Sequence, residues 1–532
     1  MKKLLAVILA LAMVIASLSA CGQAEEAGNN EPQKTQAEAG DEKEDSEDTE
    51  PGSDKLDFGG AKIVVGMYTG SNITQPGIER VFAKINEFYM SNYNIDVEIL
   101  PIPMSEYKDT VNRMLSSGEQ IDVFDPGMLN FTNTVSNEAL YDMYENDLIQ
   151  TYGQDILDLV LPEFLRGCVV NGALYGIPCM RDLAVGMWCI VFDKQYLDGI
   201  NYDFSNLDLN ACNPATVEEM DALFEELHAA YPDINVIYPW GYDLLNQKFV
   251  YDPIGGDNFG VLLDPANSLE VSDLFESDMF REYCELMYKW NQAGYISKDA
   301  ATETQGGGAQ IMAGTLMCDT TGGKPGIVLQ KSTERGGLES VAFQLGPNFV
   351  RAEQASVAAW GISVNTENPE AAMVVLNDLY CNETITNLLL WGEKDVDYII
   401  TEDGHCDFPE GITKDNAEYY NLLPAWALPC EYSTIVRVGD DIDLWEQTIE
   451  FNNNSQKSKA IGFSFDASEV SAEYTALTNV WVEYANSLLY GQIDPAVGIP
   501  ELRERLEAAG LQTYIEAKRA ALNKWAEENG IN

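Results

Sequence analysis

The hydrophobic period of this chain switches repeatedly between that of a strand and that of a helix, and this alternation restricts its fold more than any other feature. Ile63-Val64-Val65 is a short apolar run; Ile78, Val81, Phe82, Ile85 and Tyr89 then fall on one helical face. Ile95-Asp96-Val97-Glu98-Ile99 alternates as a half-buried strand does. Tyr107, Val111, Met114 and Leu115 make a second helical stripe closed by Gly118, and Ile121-Asp122-Val123-Phe124 is again strand-like. Strands joined by helix-length crossovers predict a mostly parallel sheet covered on its faces, an α/β fold. Ligands of such sheets sit beyond the carboxyl ends of the strands, here Met67-Tyr68-Thr69-Gly70 and Phe124-Asp125-Pro126-Gly127-Met128. Further on, Thr216 with Glu219 forms a capping-box pattern, and Asn368-Pro369-Glu370 sets a cap before an N1 proline. Pro500–Ala509 and Leu511–Glu528, split by Gly510, predict a helical end.

The chain begins differently. Lys2 and Lys3 precede Leu4–Ala16, an unbroken apolar run of 13 residues. A bilayer-spanning helix needs about 20, so residues 1–20 read as an export signal. The run ends in Leu18-Ser19-Ala20-Cys21-Gly22, which resembles the bacterial lipobox, where the cysteine is lipidated and becomes the mature N-terminus. The expectation is a protein on the outer face of the cell membrane, attached to it through Cys21 only. Residues 22–55 hold 12 acids against three lysines and almost no aliphatic bulk. Such a tract cannot bury enough apolar surface to fold, so residues 21–55 read as an acidic tether and structure begins near Leu56.

Composition excludes several functions. The 532 residues carry 86 Asp+Glu against 31 Lys+Arg, a net charge of −55. That field repels phosphate backbones, so no nucleic acid is expected as a partner. His228 and His405 are the only histidines, which disfavours His-rich metal sites and Ser-His-Asp catalysis. Beyond Cys21 the nine cysteines, an odd count with no CxxC pair, suit neither a zinc site nor a disulfide framework. Gln305-Gly306-Gly307-Gly308 lacks both phosphate-loop patterns, and Asp440, Asp441 and Asp443 lack the EF-hand spacing. Neither a cofactor nor a metal is expected.

Several stretches, in order, resemble the extracellular solute-binding proteins of ABC importers, the family of maltose- and oligosaccharide-binding proteins. They are Ile95–Leu100 with Ser105-Glu106-Tyr107-Lys108, Met114–Phe124, Asn171–Pro178 followed by Val191-Phe192-Asp193-Lys194, and Trp360–Asn365 followed by Asn368–Ala372. After Leu389 the chain departs from short maltose-type proteins. Phe408–Thr413, Ala417–Asn421 and Pro424-Ala425-Trp426 look like the C-terminal extension of the larger LplA-like lipoproteins. The resemblance implies a two-lobed periplasmic-binding-protein-like fold of type II, hinged between lobes, with a helical C-terminal extension. It implies crossings near Gly176–Pro178, Leu345–Pro347 and Cys381–Glu383. The first lobe would then be residues 56–176 plus 347–382, and the second 177–346 plus 383–532. It also implies a monomeric binder, not an enzyme, that captures an oligosaccharide and passes it to the transmembrane subunits of an ABC permease.

A sugar presents a flat C–H face and a rim of hydroxyls, so its site needs aromatic plates and paired hydrogen-bonding groups. The aromatic candidates are Tyr68, Trp188, Trp240, Trp360, Trp391 and Trp426, at predicted loops or crossings. The polar candidates are Asp125 past a strand end, Arg181 and Asp182 after the implied first crossing, and Asp319, where the resemblance implies another binding loop. Residues 1–21 carry +2 and residues 22–55 carry −9, so most of the charge belongs to the folded body and favours a neutral sugar over an anionic one. A secreted glycoside hydrolase, and a binder of peptide, polyamine or metal, are the alternatives these residues leave open.

Overall fold

The computed structural model describes residues 56–70, 75–239, 245, 248–414, 416–420, 422 and 425–531. The export signal, Cys21, the acidic tract and Trp240 lie outside the described residues. The first three strands of the first sheet run parallel, as the sequence predicts. β1 (Ala61–Thr69) and β2 (Ile95–Pro103) pair in parallel along their whole length, from Ala61 opposite Ile95 to Thr69 opposite Pro103. Between them α1 (Ile78–Tyr93) buries Val81, Ile85 and Tyr89 and ends at Asn94, whose left-handed φ of 53° lets its N–H reach the Met90 carbonyl. α2 (Met104–Ser117) buries Tyr107, Val111 and Met114 and stops at Gly118, φ 72°. β3 is shorter than expected, Val123–Phe124 only. The Asp122 side chain accepts the Val64 N–H at 2.7 Å, so a carboxylate takes a place that ladder bonding would otherwise fill.

Ala359–Ile362 returns antiparallel to β3, and Ile177–Pro178 pairs on its far side, giving five strands over one apolar core. A second sheet centres on Val185–Asp193, flanked by Leu316–Gly323 on one side and by Ser340–Gln344 and Asn348–Val350 on the other. Asn235–Tyr238, Cys212–Pro214 and Gln456–Lys457 extend it. The second core lies around it and takes in the helices Asp278–Gln292, Ser471–Leu489, Pro495–Ala508 and Leu511–Glu528.

Two expected crossings are displaced. Asn348–Val350 still pairs with Val185 and Gly186 of the second sheet, so the second crossing follows Val350 rather than Pro347. The helix Glu383–Trp391 buries Ile385, Leu389 and Leu390 in the first core, joined there by Tyr419, Leu422, Leu428 and Cys430. Past Cys430, which bridges to Met180, the Ser433 hydroxyl still donates to the Tyr380 carbonyl and the Ile435 N–H to the Asn387 side chain, so the third crossing lies beyond Ile435 and not at Cys381–Glu383. The described residues between Glu383 and Cys430 belong with the first core, against the expected lobe boundaries, because their apolar faces cover it.

Capping chemistry is mixed. The Thr216–Glu219 capping box forms in full, whereas Asn368 makes no side-chain cap bond ahead of Pro369. The penultimate helix starts at Pro495, capped by Asp494, and carries Pro500 inside it. All nine described cysteines are free and seven are buried, which suits small apolar fillers. No helix among the described residues is long and apolar enough to cross a membrane.

Three buried charges hold these parts in place. Arg335, 1% exposed, pairs with Asp319 beneath the second sheet. Lys518 is fully buried and donates to Asp257 at 3.0 Å and to the carbonyls of Pro253 and Gly260. Asp125 ends β3 with no solvent exposure and accepts four hydrogen bonds: Gly127 N–H at 2.7 Å, Met128 N–H at 3.2 Å, Ala359 N–H at 3.3 Å and the Tyr68 hydroxyl at 3.0 Å. Desolvation outweighs those donors and pushes the Asp125 carboxyl up to about 7.

A carboxyl whose folded pKa is raised binds its proton more tightly in the native state, so its contribution is full below the unfolded value and fades as pH rises through about 7. Asp125→Asn, which keeps an acceptor for the backbone donors, should stay within about 1 kcal/mol of the parent and flatten stability between pH 5 and 8. Asp125→Ala should lose about 3 kcal/mol, as removal of a buried multiply bonded acceptor does; denaturant titration across pH measures both. Asp319→Ala strands the Arg335 guanidinium and should cost about 3–5 kcal/mol. Since Asp319 is buried in that ion pair, the variant's folded fraction should keep its ligand affinity, which calorimetry on refolded protein would check.

Candidate ligand-binding site

The loop at the carboxyl end of β3 lies against the second crossing, and there the two cores leave a cavity of about 470 Å³ between them. The first body contributes the loop after β3, Gly127 and Asn130–Asn133. The second contributes Gly255–Asp257 and the stretch Phe463–Ser468 with Ser471, Tyr474 and Tyr514, while Glu353, Ser356 and Val357 come from the second crossing.

Local chemistry fixes the first wall. Asp125 draws the N–H groups of Gly127 and Met128 onto one oxygen and turns the chain sharply out of the sheet. A side chain at Gly127 would stand 2.6 Å from the Val357 carbonyl, so only glycine lets the loop approach the crossing so closely. Asn130 has φ 82° and caps the helix Phe131–Ser136 by accepting the Asn133 N–H at 3.0 Å. Its amide and that of Asn133 line the cavity.

The opposite wall is aromatic. Tyr474 stacks on Tyr514 with centroids 6.0 Å apart at 25°, and Phe465 meets Tyr514 edge-on at 5.5 Å. Tyr474 is 40% exposed, which leaves a ring face open. Tyr514 is held by its hydroxyl, which donates to Asp257 at 2.8 Å, and Lys518 holds Asp257 from behind. Rings fixed from behind, with amides and carboxylates across from them, can stack a flat C–H face while pairing with its hydroxyls. The Thr132 and Ser464 hydroxyls hydrogen-bond at 2.5 Å across the two walls.

The residues singled out from sequence lie elsewhere. Tyr68 and Trp360 are buried in the first core and stack at 6.4 Å; the Trp360 indole N–H donates to the Ala427 carbonyl, so both rings are structural. Trp188 is buried in the second core beside Trp290, with the Lys248 ammonium 4.4 Å above its ring. Trp391 is partly buried against the first core, donates to the Ile435 carbonyl and stacks on Tyr420. Asp319 is consumed by Arg335. These five are corrections with a common cause: each large or charged side chain is covered by whatever packs on the strand or helix that carries it. Arg181 and Asp182 pair at 3.0 Å, and Asp182 pairs with Lys324 at 2.8 Å, where Asp182, Lys324 and Glu431 line a second cavity of about 390 Å³. Burial, with Asp182 nearby, pushes the Glu431 carboxyl up to about 7. Trp426 is 38% exposed, 5.7 Å from Tyr68. Asp125 shapes the main cavity without lining it.

Sequence reasoning passed over Asn130, Glu353, Phe465, Asp466 and Tyr474. A signal exists: Phe463-Ser464-Phe465-Asp466-Ala467-Ser468 interleaves aromatics with short polar residues between helices.

Comparison with known proteins agrees with this architecture. Residues 459–527, which supply most of the aromatic wall, match a domain of unknown function, DUF3502. A carbohydrate ABC transporter substrate-binding protein of Streptococcus pneumoniae serotype 4 (strain ATCC BAA-334 / TIGR4) is 23% identical over 467 residues, 86% of this chain and 90% of that protein. The crystal structure of the N-glycan transport solute binding protein NgtS from Streptococcus pneumoniae superposes with a TM-score of 0.75 at 19% identity, over 88% of this chain and 100% of that one. Its complex with Man1GlcNAc superposes with 0.65 at 19% identity, over 87% and 99%. Residues 70–380, more than half of the chain, match the bacterial extracellular solute-binding proteins, and the chain belongs to that family.

Proposed function

We propose that this protein captures a carbohydrate in the cavity between its two cores and delivers it to the transmembrane subunits of an ABC permease, catalysing no reaction on it. The observation that carries the reading is the pairing across that cavity of an amide-bearing loop (Asn130, Asn133) with a wall of braced rings (Phe465, Tyr474, Tyr514). Support comes from the name of the pneumococcal relative, a carbohydrate ABC transporter substrate-binding protein, and from the glycan complexes of NgtS. Three crossings allow the walls to close on a ligand by hinge motion. Apparent affinity then depends on how often the empty protein visits the closed form. The N-terminal pattern ending in Cys21 supports a lipid anchor on the outer face of the membrane, with residues 21–55 as tether.

A thermal-shift screen across oligosaccharides, amino acids, peptides and polyamines tests the ligand class. At a ligand concentration of about 100 Kd a one-site binder gains about 2.7 kcal/mol, so oligosaccharides should raise the melting temperature clearly. A rise with non-sugars alone, or released products on incubation with glycans, refutes the proposal. Tyr474→Ala removes an exposed stacking face and should weaken sugar binding about fivefold, in keeping with about 1 kcal/mol for an aromatic contact, while leaving the ligand-free melting temperature within about 2 °C. Calorimetric titration of the variant measures it.

A further inference from the structure

Three carboxylates line the cavity, those of Asp257, Glu353 and Asp466, and no lysine or arginine among the described residues lines it. They are not equally occupied. Asp257 is spent: Phe259 N–H and the Lys518 ammonium share one oxygen, and the Tyr514 hydroxyl takes the other. Asp466 accepts the Ser468 N–H at 2.9 Å and the Ser468 hydroxyl on one oxygen only. Glu353 accepts no hydrogen bond at its carboxylate among the described residues, although it is half-buried, on the crossing segment, with its Oε2 close against Gly256. A desolvated carboxylate without a donor calls for one from a ligand.

The same wall already shows how it holds a cation. The Lys518 ammonium sits on Asp257 at 3.0 Å, 5.3 Å from the Tyr514 ring centroid and 5.6 Å from that of Phe465. That is a carboxylate with two ring faces, the arrangement in which an ammonium is recognised. Phe465 and Tyr474 line the same cavity as Glu353 and Asp466, so its open side offers rings and carboxylates of the same kinds.

We infer that the cavity sorts saccharides by charge: it takes oligosaccharides that are neutral or carry a free amine, as a hexosamine without its acetyl group does, and it turns acidic sugars away. Glu353 and Asp466 receive the hydroxyl or ammonium hydrogens. The inference rests on the carbohydrate reading above and adds an amine-bearing class to it. A ligand carboxylate would face Glu353 and Asp466, neither of them paired with a lysine or arginine among the described residues, while Lys518 is already committed to Asp257, and repulsion in a partly desolvated cleft is screened less than at an open surface.

The test uses a glycan array on which each neutral core is also printed in a de-N-acetylated form and in a sialylated form, read at physiological salt. Binding should be at least as strong to the amine form as to its neutral core, and at least tenfold weaker to the sialylated form. In Glu353→Gln, and independently in Asp466→Asn, the amine-to-neutral affinity ratio should fall toward one, a ratio that does not depend on how much of a variant folds. Equal binding of sialylated and neutral forms overturns the inference, as does weaker binding of the amine form or an unchanged ratio in both variants; in those cases the carbohydrate reading stands. Binding to no glycan of any charge overturns both.

Discussion

The geometry of the cleft depends on one buried carboxylate. Asp125 joins Tyr68 on β1, the first two N–H groups of the loop that forms a cavity wall, and Ala359 at the start of the returning strand, while its own N–H reaches the Tyr107 hydroxyl on α2. Such a group has one fully satisfied arrangement, and every departure leaves a polar atom unpaired in an apolar core. The strand ends, the second crossing and the loop are therefore positioned together. The close approach of Gly127 to Val357 follows from that position, and it brings the amides of Asn130 and Asn133 opposite the aromatic wall.

The distribution of cations works toward the same end. With 31 lysines and arginines against 86 acids, every buried anion competes for few partners. Several of those partners are drawn inward: Arg335 to Asp319, Lys518 to Asp257, and Lys324 with Arg181 to Asp182. Each such pair repays desolvation only with added hydrogen bonds, which Lys518 finds in two backbone carbonyls. The cavity surface is thereby left to carboxylates, amides and rings. The strong negative excess, which at first only argues against nucleic acid, thus bears on the site.

How much of this was legible in the sequence depends on the range of the interaction. The stripes of α1 and α2, the alternation of β2 and the capping box at Thr216 are local, and the structure has them where the sequence predicts them. The crossings were misplaced because they turn on which core an apolar face covers. Nothing local distinguishes the helix Glu383–Trp391 packed on the first body from the same helix packed on the second. The short β3 has a similar origin, since Asp122 bonds to Val64, fifty-eight positions away in sequence.

The site residues were missed for a physical reason that runs against intuition. Tryptophan is chosen as a sugar platform for its large apolar face, but that area also makes it costly to leave exposed, and Trp188 and Trp360 are both withdrawn into cores. A usable platform needs one face open and the other braced, a condition of neighbours rather than of residue type. Tyr474 meets it by stacking on Tyr514, which Asp257 and Lys518 hold in turn. That bracing links residue 257 to residues 474, 514 and 518, so it exists only once the C-terminal helices have closed over the second sheet. The helical end of the chain is on this account a wall of the cavity and not an appendage to a finished two-lobed protein.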